Sequence, residues 1–151
     1  MKEPERRGNG VKRQQLERGS LNAYAALVAS EHGLPGITAR VRKPKDRHGA
    51  RFVEVETTPQ GDDWLSRLSD HPYTHALTLM FDAQRIESDL EKNGGGMTKI
   101  EAHKKRSNMT GLRENAKKIL GDATLPPLGD ETIRSLLGAA VTTMQLPAQP
   151  A

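Results

Sequence analysis

The chain has 151 residues and no cysteine, which excludes disulfides, thiolate metal sites and thiol-based catalysis. Apolar residues make up 34% of the chain and aromatic residues 3%, so the core must be packed mainly from aliphatic side chains, which favours helices. No run of 18 apolar residues is present, so no membrane contact is expected. Together with the missing cysteines, this favours a cytoplasmic location and leaves export by a specialised secretion system open.

Charge changes sign in blocks along the chain, although the formal net charge is only +4. Residues 1–18 carry six basic and three acidic side chains, residues 40–51 carry six and one, and residues 99–118 carry seven and two. Residues 54–93 instead carry nine acidic and three basic side chains. Basic blocks that share an open surface attract phosphate, whereas basic blocks that meet the acidic block are neutralised inside the molecule. The sequence leaves both arrangements open.

The first part of the chain predicts one helix and one β-hairpin. Residues 1–18 are polar and contain glycine and proline, as is typical of a flexible arm. A helix is predicted over residues 20–32, because Ser20 is a good N-cap and a glycine follows the last turn. Two alternating runs, Ile37–Arg42 and Phe52–Thr57, predict antiparallel strands joined by a long basic loop.

The rest of the chain predicts helices. A short helix is predicted to be capped by Asp62, and a longer one covers residues 72–92 and ends at three glycines, interpreted as a hinge or mobile loop. Residues 98–120 combine helical propensity with poor apolar spacing around a polar run, which predicts two helices separated by a short break. The final helix, residues 130–144, has the most regular apolar face of the chain.

Together these patterns predict an α+β fold, namely a mainly helical single domain of about five helices with one antiparallel β-hairpin near residues 37–57. The predicted organisation is a flexible basic N-terminal arm at residues 1–18, a single folded domain at 19–144 and a disordered tail at 145–151.

The basic segments 40–51 and 99–118 are the main functional candidates, and they predict contacts with the phosphates of a nucleic acid. Two basic helices around a short break have the architecture of a helix-turn-helix without its sequence pattern, and a basic hairpin loop can follow a phosphate backbone. The competing interpretation is a solvated charged surface that also protects a strand edge from aggregation. The predicted nucleic-acid-binding residues are Arg40, Arg42, Lys43, Lys45, Arg47, Arg51, Lys99, Lys104, Lys105, Arg106, Arg113, Lys117 and Lys118.

Two histidine-containing patterns indicate other chemistry. His71 and His75 have the spacing of a helical zinc-binding pair, but the glutamate of the HExxH motif and a third ligand are missing, so no metal is predicted. His48 together with Glu54 and Glu56 offers the acid, base and phosphate-binding groups of a small nuclease, although an ordinary polar strand face explains both glutamates. No P-loop, dinucleotide-binding or nucleophile-elbow motif is present, so no cofactor is predicted.

The sequence therefore predicts a non-catalytic, nucleic-acid-associated accessory or regulatory protein. One alternative is a protein–protein interaction module, such as an inhibitor, an adaptor or a secreted effector. Its contact surface would be the acidic region 54–93 or the final apolar helix, and that helix would also serve a homodimer. A further alternative is a small nuclease or toxin acting through the His48 hairpin.

Overall fold

The computed structural model describes residues 10–42 and 51–145, and it confirms the predicted α+β fold with helices in the majority. Within those residues, 72–133 form one compact unit, and residues 10–42, 51–71 and 134–145 form another. The predicted boundaries of a single domain at 19–144 stay a prediction. The elements in chain order are β1 (Lys12–Glu17), α1 (Leu21–Glu31), β2 (Ile37–Arg42), β3 (Phe52–Thr57), α2 (Pro59–Ser69), α3 (Pro72–Asn93), a 3-10 turn (Gly94–Gly96), α4 (Lys99–Leu120) and α5 (Asp130–Gln145).

The first unit contains a three-stranded antiparallel sheet in the order β1-β3-β2, so β3 is the central strand. The predicted hairpin strands are confirmed with the bounds expected from their alternation. Val53 and Val55 point to the inner face of β3 and are fully buried, because they pack against Ala23 and Ala26 of α1. Glu54 and Glu56 alternate with these valines and lie together on the other face, as the period of two requires.

Strand β1 differs from the prediction, which placed a flexible arm over residues 1–18. Five of its six residues are exposed and only Leu16 is partly buried, so the strand has no apolar alternation that reveals it in the sequence. Its order comes from a complete antiparallel pairing with β3, from Lys12 opposite Thr57 to Glu17 opposite Phe52. Residues 1–9 of the predicted arm lie outside the described residues, as do residues 146–151 of the predicted tail.

Helix α2 begins earlier than predicted, because Thr58 and not Asp62 is its N-cap. The Thr58 hydroxyl oxygen accepts a hydrogen bond from the Gly61 N–H at 3.2 Å, and Pro59 occupies the first helical position. Asp62 instead accepts a hydrogen bond from the Thr57 hydroxyl at 2.6 Å and forms an ion pair with Lys12 at 3.2 Å. One carboxylate therefore links β1, β3 and α2.

The second unit is built on a helical hairpin of α3 and α4. The long helix predicted from residue 72 is confirmed, and its buried residues include Ala76, Leu77, Met80 and Ala83. The glycines predicted as a hinge form the 3-10 turn, and Thr98 and Glu101 then start α4 with a reciprocal capping box. A connection this short makes α3 and α4 antiparallel neighbours.

Helix α4 is continuous for 22 residues, so the prediction of two helices with a break between them was wrong. Helices α3 and α4 pack along each other, and Met109 and Leu112 are partly buried on this segment. The weak helix formers between Ser107 and Gly111 therefore remain helical, because packing outweighs propensity. No helix-turn-helix is present over residues 99–120.

The apolar face of α5 is buried, with Ile133, Leu137, Ala140 and Val141 each at most 4% exposed. Leu136 and Met144 of the same helix are only half-buried, and the predicted contact of the final helix with a partner or a second copy stays a prediction. In the described parts of the chain, no helix combines the length and apolar character needed to cross a membrane.

Candidate nucleic-acid interface

The inward-facing cations of α4 are neutralised by the hairpin's own carboxylates. Lys105 lies 3.0 Å from a carboxylate oxygen of Asp89, and Arg113 lies 3.3 Å from one of Glu87. Hydrogen bonds from Asn93 and Lys105 lower the pKa of Asp89, so this carboxylate stays ionised at neutral pH. These two predicted nucleic-acid-binding residues therefore have partners within the molecule.

Lys117 also has a carboxylate partner, on its own helix. Its ammonium nitrogen lies 2.8 Å from a carboxylate oxygen of Glu114, and this contact lowers the pKa of Glu114. The pair joins residues three apart, a spacing that brings side chains together on a helix. Three of the seven predicted cations of α4 are thus paired.

The outward-facing half of α4 carries four cations without such partners. Lys99, Lys104, Arg106 and Lys118 are exposed, and no described carboxylate forms an ion pair with them. At about 100° per residue, Lys99 and Arg106 fall on one line, and Lys104 and Lys118 on a second line about 130° away.

Between the two lines of cations lies a strip of polar residues, His103, Ser107 and Thr110, all of them exposed, and the exposed Gly111 lies on the second line. The strip ends at Glu114, whose charge is matched by Lys117. We call this exposed half of α4, residues 99–118 with its two lines of cations, the outer face of α4.

Unlike the cations of the outer face of α4, the arginines of β2 form ion pairs with a carboxylate. Arg40 and Arg42 both contact Glu54, at 3.4 Å and 3.0 Å, and Arg13 of β1 contacts Glu56 at 2.8 Å. On the polar face of the sheet, three arginines therefore share two glutamates, so most of their charge is neutralised. Arg51 is exposed, and none of the described carboxylates forms an ion pair with it. Lys43, Lys45, Arg47 and His48 lie outside the described residues.

The glutamates considered for hydrolysis share one face of β3, as predicted, but both are matched by arginines. His75 is exposed in the first turn of α3, while His71 is half-buried just before it, and burial lowers the pKa of His71. Within residues 10–42 and 51–145, no group of three histidine or acidic side chains is arranged to hold a metal ion.

Sequence reasoning missed the partners of the α4 cations. Glu87 and Asp89 were grouped only as members of the acidic block, although they lie near the end of α3, just before the glycine turn. A short turn between two helices places the end of the first beside the start of the second. That rule identifies Lys105 as a candidate for internal pairing, whereas Arg113 lies in the second half of α4, where the rule gives no signal.

Comparisons with protein-family models, with curated proteins and with solved structures found no match for this chain. The charges and geometry of the described residues therefore carry the functional interpretation.

Proposed function

We propose that this protein binds the phosphate backbone of a nucleic acid through the outer face of α4, as a non-catalytic accessory or regulatory factor. The observation that carries the proposal is the separation of charge around this helix. Its inward cations are matched by carboxylates of α3, while Lys99, Lys104 and Arg106 face outward without an ion-pair partner among the described residues. Lys118 also faces outward and is attracted to Glu114 without forming an ion pair with it. An unpartnered row of cations attracts phosphate.

The spacing of these cations fits a double helix. An α-helix of 22 residues is about 33 Å long, close to one turn of B-form DNA, and the major groove is about 12 Å wide and admits an α-helix. Two lines of cations about 130° apart can reach the backbones on both sides of a groove, while the small side chains between them allow close approach. The helix has no aromatic residue for base stacking, which favours a duplex over a single strand.

The basic hairpin supports the proposal less than the sequence indicated. Arg40 and Arg42 are held by Glu54, so a phosphate must compete with a carboxylate for each of them. Contacts from residues 43–50 stay a prediction, because these residues lie outside the described part of the chain.

Binding of a fluorescently labelled duplex of about 20 base pairs, followed by anisotropy at about 50 mM and about 200 mM salt, tests the proposal. The triple variant Lys104→Gln, Arg106→Gln, Lys118→Gln removes three of the four outward cations. We expect it to bind roughly tenfold or more weakly at the lower salt concentration, and we expect its salt slope to fall by about 2 to 3, since each phosphate contact contributes about 0.9.

The matched control is the triple variant Arg13→Gln, Arg40→Gln, Arg42→Gln, which removes the same charge from the ion-paired arginines of the sheet. We expect its affinity to stay within about twofold of the original, because each of these arginines is already ion-paired with a glutamate of β3. Equal weakening by both triple variants would show that net charge alone drives binding. That result, or no binding at low salt, would overturn the proposal.

A further inference from the structure

A groove of about 450 Å³ lies between α3, α4 and the loop that follows α4. This volume is within the range of about 300 to 1,000 Å³ in which small molecules bind. The apolar side of the groove comes from Met80, which is only 5% exposed, and from the loop residues Leu125 to Leu128. Two prolines in that loop fix their own backbone φ angles, so this wall is stiff.

The opposite wall of the groove is polar and regular. Thr110, Arg113 and Lys117 of α4 line it at spacings of three and four residues, which places them on one side of the helix. They bring a hydroxyl, a guanidinium and an ammonium group to the same wall within about two turns. A guanidinium presents two parallel N–H groups that match the two oxygens of a carboxylate, sulfonate or phosphate.

Both cations in the groove have carboxylate partners that an incoming anion can replace. The Glu87 and Glu114 side chains are 50% and 56% exposed, whereas those of Arg113 and Lys117 are 35% and 33% exposed. In each pair the glutamate is therefore more exposed to water than its basic partner. Each glutamate can turn toward solvent, where water hydrates its carboxylate. Ion pairs this exposed contribute little to stability, so an anion that also buries an apolar body can displace them.

We propose that this groove is a binding site for a small amphipathic anion, a carboxylate, sulfonate or phosphate attached to an apolar or aromatic body. Arg113 binds the anionic group with two hydrogen bonds, and Lys117 supplies a second charge one turn away. The body lies against Met80 and the Leu125 to Leu128 wall. None of the four outward cations of α4 lines the groove, although Thr110 and Glu114 border both the groove and the outer face of α4. The proposed ligand is a small anion and not a nucleic acid, so this site goes beyond the proposed function.

The probe is 1-anilinonaphthalene-8-sulfonate, an aromatic anion whose fluorescence rises in apolar surroundings, compared with the uncharged N-phenyl-1-naphthylamine. We expect saturable, one-site binding of the anion and roughly tenfold weaker binding of the uncharged analogue, because charge-assisted hydrogen bonds are lost. Arg113→Met is expected to weaken binding of the anion by a similar factor.

The matched control is Lys105→Met, which removes a cation of the same helix that is also paired with a carboxylate of α3 but does not line the groove. Its affinity for the anion should stay within about twofold. In the unsubstituted protein, the amide resonances shifted by the probe should be confined to residues near 80–87, 110–117 and 125–128. Equal binding of the uncharged analogue, insensitivity to Arg113→Met, or shifts elsewhere in the chain would overturn the proposal.

Discussion

Gly36 and Gly61 bring the turn before β2 against the first turn of α2. Gly36 has a φ of +81°, a conformation that residues with a Cβ rarely adopt, and its carbonyl oxygen accepts a hydrogen bond from the Thr58 N–H at 2.9 Å. A Cβ built on Gly61 would meet this same carbonyl group, closer than real Cβ atoms approach any neighbour. The carbonyl oxygen and carbon of Gly36 are backbone atoms, so they cannot move aside as the end of a flexible side chain can.

We expect Gly61→Ala to lower the free energy of unfolding by about 2 kcal/mol or more. Alanine is a better helix former than glycine by about 1 kcal/mol, so helix propensity alone predicts that Gly61→Ala raises the free energy of unfolding. A measured decrease would therefore report the close contact with Gly36. Urea unfolding followed by circular dichroism measures the change. Stability equal to or above that of the unsubstituted protein would show that the two segments are not in close contact.

The need for glycine at position 61 was not predictable from the sequence, whereas the cap at Ser20 was. Ser20 acts within its own turn, since its side chain accepts from the Ala23 N–H, three residues along the chain. Gly61 is required by Gly36, 25 residues earlier and in a different element. The role of a single residue can thus be predicted when its partner is close in the sequence. The ion pairs of Lys105 and Arg113 were missed because their carboxylate partners lie in a different helix.

The continuity of α4 shows how packing at the level of elements overrides local propensity. The segment from Ser107 to Gly111 is poor in helix formers, and Gly111 adds the backbone freedom of a glycine in a helix interior. The ion pairs of Lys105 and Arg113 with α3 lie on either side of this segment. Held at both ends and along its inward face, the segment stays helical, and the predicted helix-turn-helix architecture does not form.

Gly111→Ala is expected to raise the free energy of unfolding by about 0.5 to 1 kcal/mol. A Cβ at this position meets no atom within 4 Å, so the gain in helix propensity is not offset by a clash. The same urea unfolding experiment measures this change. Replacing a helical glycine by alanine should therefore raise the free energy of unfolding at position 111 and lower it at position 61. A loss of stability in Gly111→Ala would contradict a continuous, outward-facing helix at this point.

Across the described chain, the alternating charge blocks resolve into both of the arrangements that the sequence left open. In the hairpin of α3 and α4, the acidic end of α3 neutralises the inward side of the basic helix, and on the sheet Glu54 and Glu56 form ion pairs with three arginines. The outward side of α4 keeps its charge. Strands β2 and β3 and helices α1, α3 and α5 were predictable because their apolar residues are periodic. Which cations remain unmatched depends instead on how separate elements pair.

The stability of the molecule should depend on pH in two ranges. Burial lowers the pKa of His71 below 6.5, so the folded state favours the neutral ring, and unfolding below pH 6.5 takes up a proton. Its contribution is therefore complete above pH 6.5 and is lost as the pH falls through the lower folded-state pKa. Asp62 acts at more acidic pH, because a hydrogen bond from Thr57 and the charge of Lys12 lower its pKa below 3.8.

The contribution of Asp62 is complete above pH 3.8 and is lost as the pH falls through its lower folded-state pKa, since the fold favours the ionised carboxylate. The free energy of unfolding of Asp62→Asn should thus lie below that of the unsubstituted protein at neutral pH, and the gap should close at pH values below 3.8. Asp63→Asn is the control, since that carboxylate is exposed and forms no ion pair with the described residues, so its substitution should change stability little. A gap for Asp62→Asn that is the same at neutral and acidic pH would mean that its charge does not join β1, β3 and α2. Closure of the gap would show that the ionised carboxylate of Asp62, which contacts Thr57 of β3 and Lys12 of β1, stabilises the fold.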